Sequence, residues 1–139
     1  MLKLGGYINI FIAVAHIIGL YKAKLMFEVT GVKAEMNELT QIHSAIPYLL
    51  TIFVSIVFFV FGLYGLSAAN KFRKLPFLKS GIFVIAGIYI FRGIAELLIN
   101  ILNQEFTPLR EITYSLVALA IGLLFLIGGI KKMGMKQAI

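Results

Sequence analysis

Residues 81–102 read GIFVIAGIYIFRGIAELLINIL, a long apolar run that contains three widely spaced polar side chains. As a helix this stretch covers about 33 Å, enough to cross the ~30 Å hydrocarbon core of a bilayer. Arg92, Glu96 and Asn100 follow each other at intervals of four residues, so they share one face of that helix. Charged groups at membrane depth are costly, and this face is therefore the first candidate for a functional site.

The composition supports a membrane protein. Of the 139 residues, 60% are hydrophobic and only 14% are charged, whereas soluble domains carry about 25% charged residues. The sequence contains no cysteine, which excludes disulfides, thiolate metal sites and cysteine nucleophiles. It also lacks the glycine-rich phosphate loops and the zinc-protease and hydrolase motifs of familiar enzymes, which favours a non-catalytic role.

Three further apolar runs accompany the first, and together they predict four membrane spans. The predicted spans cover residues 4–27, 42–69, 75–102 and 108–130. Short connections make consecutive spans antiparallel neighbours, so we expect an all-α polytopic membrane protein, a single up-down-up-down four-helix bundle. Residues 28–41 form the only substantial polar segment and could fold as a short interfacial helix.

The net charge of +7 is unevenly distributed along the chain. The N-terminus, the loop near residue 72 and the C-terminus carry eight Lys or Arg and no acid; the other segments carry five Lys or Arg and all six acids. The positive-inside rule then predicts an inner-membrane protein with both termini in the cytoplasm. The basic segments are suited to anionic membrane lipids, and we do not expect nucleic acid as a partner.

Small residues recur every seven positions in the fourth span, at Ser115, Gly122 and Gly129. Such a stripe lets helix backbones approach closely in lipid. Packing within the bundle is its commonest use, and a homo-oligomer contact through the same residues is the alternative.

Two histidines extend the polar face of the third span into a candidate site. The helical rise puts Asn100, Glu96 and Arg92 about 3, 9 and 15 Å from the outer end of their span, and His16 about 10 Å deep in the first span. His43 begins the second span on the same side of the membrane. We therefore predict one ligand-binding cluster in the outer half of the bundle, formed by His16, His43, Arg92, Glu96 and Asn100.

The cluster has a structural interpretation beside the functional ones, since polar residues often hold membrane helices together. The order of Arg92 before Glu96 is the less favourable one for a pair on a single helix, so each side chain should also seek a partner on another helix. In its functional interpretation, the cluster would bind a small ligand, a lipid or a larger membrane complex.

Two alternatives involve chemistry. A haem or divalent metal could be held by His16 and His43, with help from Glu28, Glu35 or Glu38 in the polar segment, which would make the chain a redox protein or an enzyme. A small proton-coupled carrier would instead use Glu96 as its titrating group.

Overall fold

The computed structural model describes residues 1–102 and 109–134, without the side chains of residues 100, 110 and 111. This part of the chain is all-α and contains no strand. Its helices are α1 (Leu2–Gly19), α2 (Ala23–Thr30), α3 (Lys33–Ile42), α4 (Ile46–Ala68), α5 (Leu78–Leu102) and α6 (Leu109–Gly134).

Four helical stretches are long and apolar enough to cross a membrane, namely Leu2–Thr30, Ile46–Ala68, Leu78–Ile99 and Ile112–Gly134. The protein is thus a small integral membrane protein, and its four long helices are consistent with the predicted four-helix bundle. The first stretch joins α1 and α2 through a single 3-10 turn at Leu20–Lys22. The up-down order of the spans and the location of the termini stay predictions.

The polar segment after the first span contains the short helix that its sequence suggested. Gly31, with a φ of 84°, ends α2 and donates its backbone N–H to the Glu28 carbonyl. A positive φ favours glycine because a side chain would be strained there. Helix α3 follows almost at once, and α4 begins at Ile46, later than the predicted start at residue 42.

The chain divides into two compact units. One comprises Ile8–Gly62 and holds both histidines; we call it the histidine unit. The other comprises Met1–Tyr7 with Leu63–Ile139 and holds Arg92 and Glu96; we call it the arginine unit. Each is described by itself below.

In the arginine unit, α5 and α6 pack against each other through glycines. A Cβ atom at Gly93 would lie 3.0 Å from the backbone oxygen of Ser115, and one at Gly122 would lie 3.1 Å from the backbone nitrogen of Ile90. A larger side chain at either position would therefore require the neighbouring helix to shift. The stripe at Ser115, Gly122 and Gly129 therefore packs within the chain, the first of its two predicted uses, and the homo-oligomer contact stays a prediction.

The basic loop between α4 and α5 is held by hydrogen bonds from the end of α4. The buried Ser67 hydroxyl donates to the Arg73 carbonyl at 2.8 Å and accepts from the Leu75 N–H at 3.0 Å. The Tyr64 hydroxyl donates to the Pro76 carbonyl at 3.2 Å. Because residues 73–76 are fixed in this way, α5 begins at Leu78 and not at the predicted residue 75.

Candidate functional site

Arg92 and Glu96 form an ion pair one helical turn apart on α5. Nη2 of Arg92 lies 3.5 Å from Oε1 of Glu96. The Arg92 side chain is 55% exposed and that of Glu96 is 40% exposed, so the rest of the chain covers about half of the pair. A guanidinium has five N–H donors, and this single ionic contact uses a small part of that capacity.

The buried Ser115 of α6 ties Glu96 to the neighbouring helix. Its hydroxyl donates to Oε2 of Glu96 at 2.9 Å. The two carboxylate oxygens thus face different partners, Arg92 on the same helix and Ser115 on the next. This contact confirms the expectation of a partner on another helix for Glu96; for Arg92 the same expectation stays a prediction.

The position of the pair along α5 decides its environment. The helix has 25 residues, about 37 Å by its rise, so it is slightly longer than the hydrocarbon core. Arg92 lies ten residues before the last residue of the helix, about 15 Å from that end. A half-covered guanidinium at this depth is expensive unless something polar contacts it.

His16, in the histidine unit, is held by contacts on its own helix and by an aromatic ring. Its Nδ1 lies 2.8 Å from the Ile12 carbonyl oxygen. A carbonyl can only accept, so Nδ1 carries the proton and Nε2 of the neutral ring keeps a lone pair. The ring also contacts Phe58, with centroids 5.4 Å apart and planes inclined at 46°.

His43 is part of the turn that starts α4. Its Nδ1 accepts the backbone N–H of Ala45 at 3.1 Å, and its carbonyl accepts the N–H of Ile46 at 3.1 Å. An accepting Nδ1 leaves the proton of the neutral ring on Nε2, so in this conformation neither nitrogen offers a lone pair to a metal. His43 therefore acts here as a helix cap.

The predicted site residues are thus divided between the two units. His16 and His43 belong to the histidine unit, and Arg92 and Glu96 form a pair in the arginine unit. Asn100 lies on α5, but its side chain lies outside the described residues. Among the residues that the structure describes, no three His, Cys, Asp or Glu side chains come together as a metal site would require.

Sequence reasoning assigned Ser115 to helix packing and missed its contact with the acid. Its place in the seven-residue stripe was the available signal, because that stripe faces a neighbouring helix. We call Arg92, Glu96 and Ser115 the charged cluster. Within the described part of the chain, both oxygens of the Glu96 carboxylate are engaged and Arg92 has one ionic contact, so the guanidinium is the group with donors to spare.

Comparisons with known proteins returned no matching family model, curated protein or solved structure.

Proposed function

We propose that this chain is a non-catalytic integral membrane protein that binds a small ligand or lipid through the charged cluster. The bound group would be a carboxylate, a phosphate or a carbonyl attached to an apolar body. The observation that carries the proposal is the half-exposed guanidinium of Arg92 on a helix long and apolar enough to cross a membrane, beside a carboxylate that Ser115 already engages.

The chemistry follows from the geometry of arginine. A guanidinium donates two parallel N–H bonds to a carboxylate or phosphate, and such charge-assisted bonds are stronger than neutral ones. Exposed apolar residues on the same face of α5, namely Ile88 and Ile99, would contact the apolar body of the ligand. Glu96 would keep the guanidinium oriented through its bonds to Arg92 and Ser115.

The test is the identity of what the full chain retains when purified in mild detergent. Mass spectrometry should detect a small amphiphile bound to the unmodified protein and lost from Arg92→Gln. Arg92→Lys keeps the charge but loses the paired donors, so it should retain less than the unmodified protein. Arg73→Gln, which removes the same charge from the loop between α4 and α5, is the matched control.

An identical small-molecule profile for Arg92→Gln and the unmodified protein would contradict the proposal. If Arg92→Gln instead lost a co-purifying polypeptide, the cluster would serve a larger membrane complex.

The carrier remains a second proposal. The hydrogen bond from Ser115 to Glu96 favours it, because it puts a titratable group at a helix interface within the span. Glu96→Gln should then abolish proton-coupled flux into vesicles while the protein stays folded, and unchanged flux would reject the carrier.

A haem or metal protein remains the third proposal. It is favoured by the contact of His16 Nδ1 with the Ile12 carbonyl, because a proton on Nδ1 leaves Nε2 as the metal-binding nitrogen. The visible spectrum of purified protein tests it. A Soret band lost in His16→Ala would replace the non-catalytic proposal, and a colourless, metal-free sample would reject the cofactor.

The proposed location is the inner membrane with both termini in the cytoplasm, supported by the uneven distribution of charge. A reporter fused after Ile139 should behave as cytoplasmic, and periplasmic activity would contradict this orientation.

A further inference from the structure

Two cavities lie at the lysine-rich end of the arginine unit, away from the charged cluster in sequence. The larger is a shallow depression, open on one side, with a volume of about 420 Å³. Three sections of the chain line it: the first residues with Lys3, the end of α4 with Ala68 and Ala69, and the end of α6. The smaller cavity, of about 270 Å³, lies between the loop after α4, the start of α5 and the end of α6.

Lysines from separate segments line both cavities. The larger contains Lys3, Lys131 and Lys132, and the smaller contains Lys74, Lys79 and Lys132. Among the described residues, no acidic side chain lines either one. Among the described residues of the whole chain, the ion pairs are Arg92–Glu96 and Lys33–Glu28. None of the five lysines that line the two cavities is therefore paired with a described acid. Both cavities therefore favour an anion.

The walls of the larger cavity are apolar. Leu2, Ala68, Ala69 and Gly128 line it together with the lysines. A free ion would gain nothing from such walls, whereas a phospholipid has both a charged headgroup and an apolar body. A lysine-rich cavity between membrane helices is a known type of anionic headgroup site.

We propose that the larger cavity binds the phosphate headgroup of an anionic phospholipid. Lys3, Lys131 and Lys132 contact the phosphate, and the apolar wall contacts the glycerol and the first methylenes of the acyl chains. This site is independent of the charged cluster and of the function proposed for it. It differs from general attraction to a membrane surface because it requires the cavity as well as the charge.

Native mass spectrometry of the full chain in detergent tests the proposal, with phosphatidylglycerol and phosphatidylcholine of identical acyl chains as probes. We expect phosphatidylglycerol to bind more tightly than phosphatidylcholine. Lys131→Gln with Lys132→Gln should weaken phosphatidylglycerol binding about 25-fold, because each lysine near an anionic lipid contributes about fivefold. The exposed pair Lys22→Gln with Lys24→Gln, in the histidine unit, is the matched control and should leave the affinity unchanged.

Two further variants distinguish binding in the cavity from binding to surface charge alone, and from a loss of binding caused by misfolding. Ala69→Leu fills the cavity without changing the charge, so it should weaken phosphatidylglycerol binding. Lys131→Arg with Lys132→Arg keeps both charges and should retain binding.

Equal affinity for the two lipids, equal losses in the two glutamine pairs, or unchanged binding in Ala69→Leu would each overturn the proposal. Competition with inorganic phosphate is the last measurement. If it displaced phosphatidylglycerol at low millimolar concentration, the occupant would be a soluble phosphate and the lipid assignment would be wrong.

Discussion

Two ion pairs of equal length occur in different environments of this protein. Arg92 and Glu96 are 3.5 Å apart inside the third candidate span, and Lys33 and Glu28 are 3.5 Å apart beside Gly31, where the first helical stretch ends. Their exposure is also similar, 55% and 40% against 57% and 64%. Distance and exposure therefore do not distinguish the pairs, and the surrounding medium decides what each one means.

In water, a half-exposed pair is solvated on its open side and contributes little to stability. In hydrocarbon, the open side has no water, so a half-exposed pair is stable only if another polar group contacts it. Ser115 provides such a contact for Glu96. This reasoning makes Arg92 a candidate binding residue and leaves Lys33 as an ordinary surface cation.

Removal of one acid from each pair should give the largest difference. Glu96→Ala leaves Arg92 without its countercharge, and an unpaired arginine costs about 2.5–3.5 kcal/mol at the very centre of a membrane helix. Arg92 lies closer to one end of its span, so we expect the free energy of unfolding to fall by up to about 3 kcal/mol. Glu28→Ala should lower it by less than about 1 kcal/mol, as exposed pairs do. Circular dichroism during denaturant unfolding in micelles measures both.

Equal losses in the two variants would show that the medium does not separate the pairs. The double variant Arg92→Leu with Glu96→Leu sharpens the test, because it removes the uncompensated charge. It should recover much of the stability that Glu96→Ala loses, as replacement of buried ion pairs by apolar residues has done elsewhere.

Substitution of Gly93, which lets α5 and α6 pack closely, should give the next largest loss of stability. A Cβ atom at Gly93 would lie 2.6 Å from Cγ of Leu119 and 3.0 Å from the Ser115 backbone oxygen. Overpacking of this kind costs about 1–3 kcal/mol, so Gly93→Ala should be destabilised by about 2 kcal/mol. A Cβ atom at Gly87, on the same helix, would meet nothing within 4 Å, and Gly87→Ala should not be destabilised.

If Gly87→Ala lost as much stability as Gly93→Ala, the close contact of residue 93 with α6 would not explain the loss in Gly93→Ala. The same denaturant titration in micelles answers the question for both variants.

Two buried serines allow a comparison of charged and neutral acceptors. Ser115 donates to the Glu96 carboxylate at 2.9 Å, and Ser55 donates to the Ala13 backbone carbonyl at 2.8 Å. Hydrogen bonds to charged groups contribute about 1.5–3 kcal/mol, whereas those between membrane helices average about 0.6 kcal/mol. We therefore expect Ser115→Ala to lose about 1.5 kcal/mol and Ser55→Ala about 0.6 kcal/mol.

A double-mutant cycle of Ser115→Ala with Glu96→Ala, which leaves no acceptor at residue 96, checks the assignment. The two changes should be non-additive, since they share one hydrogen bond. Additive losses would show that Ser115 acts through packing alone.

The four spans could be predicted because hydropathy and length are properties of the sequence itself. The order of Arg92 and Glu96 also predicted that each side chain would reach another helix, which Glu96 does through Ser115. Its partner could not be named, because that requires the register of α5 against α6, which the close contacts at Gly93 and Gly122 determine. The start of α5 was misplaced for a similar reason, since Ser67 and Tyr64 fix residues 73–76 through tertiary hydrogen bonds.

The histidines show the same limit. Spacing put His43 near the polar face, but its bond to the Ala45 N–H depends on an extended backbone at residue 43, with φ −161° and ψ 135°. Local conformation therefore gave this side chain a capping role that composition and depth could not indicate. Whether His16 and the charged cluster form one site stays a prediction.

The smallest expected effect is on the pair in the polar segment. Lys33→Ala removes a cation whose side chain is 57% exposed, and exposed pairs contribute about 0.2–1 kcal/mol, so the free energy of unfolding should change by about 0.3 kcal/mol. That small change should disappear as salt is raised from about 0.01 M to 1 M, because the screening length falls from about 30 Å to 3 Å. Salt ions do not enter the hydrocarbon, so the loss in Glu96→Ala should stay constant over the same range. A salt-dependent loss in Glu96→Ala would put its ion pair in water, and the reason for treating Arg92 as a binding residue would then be gone.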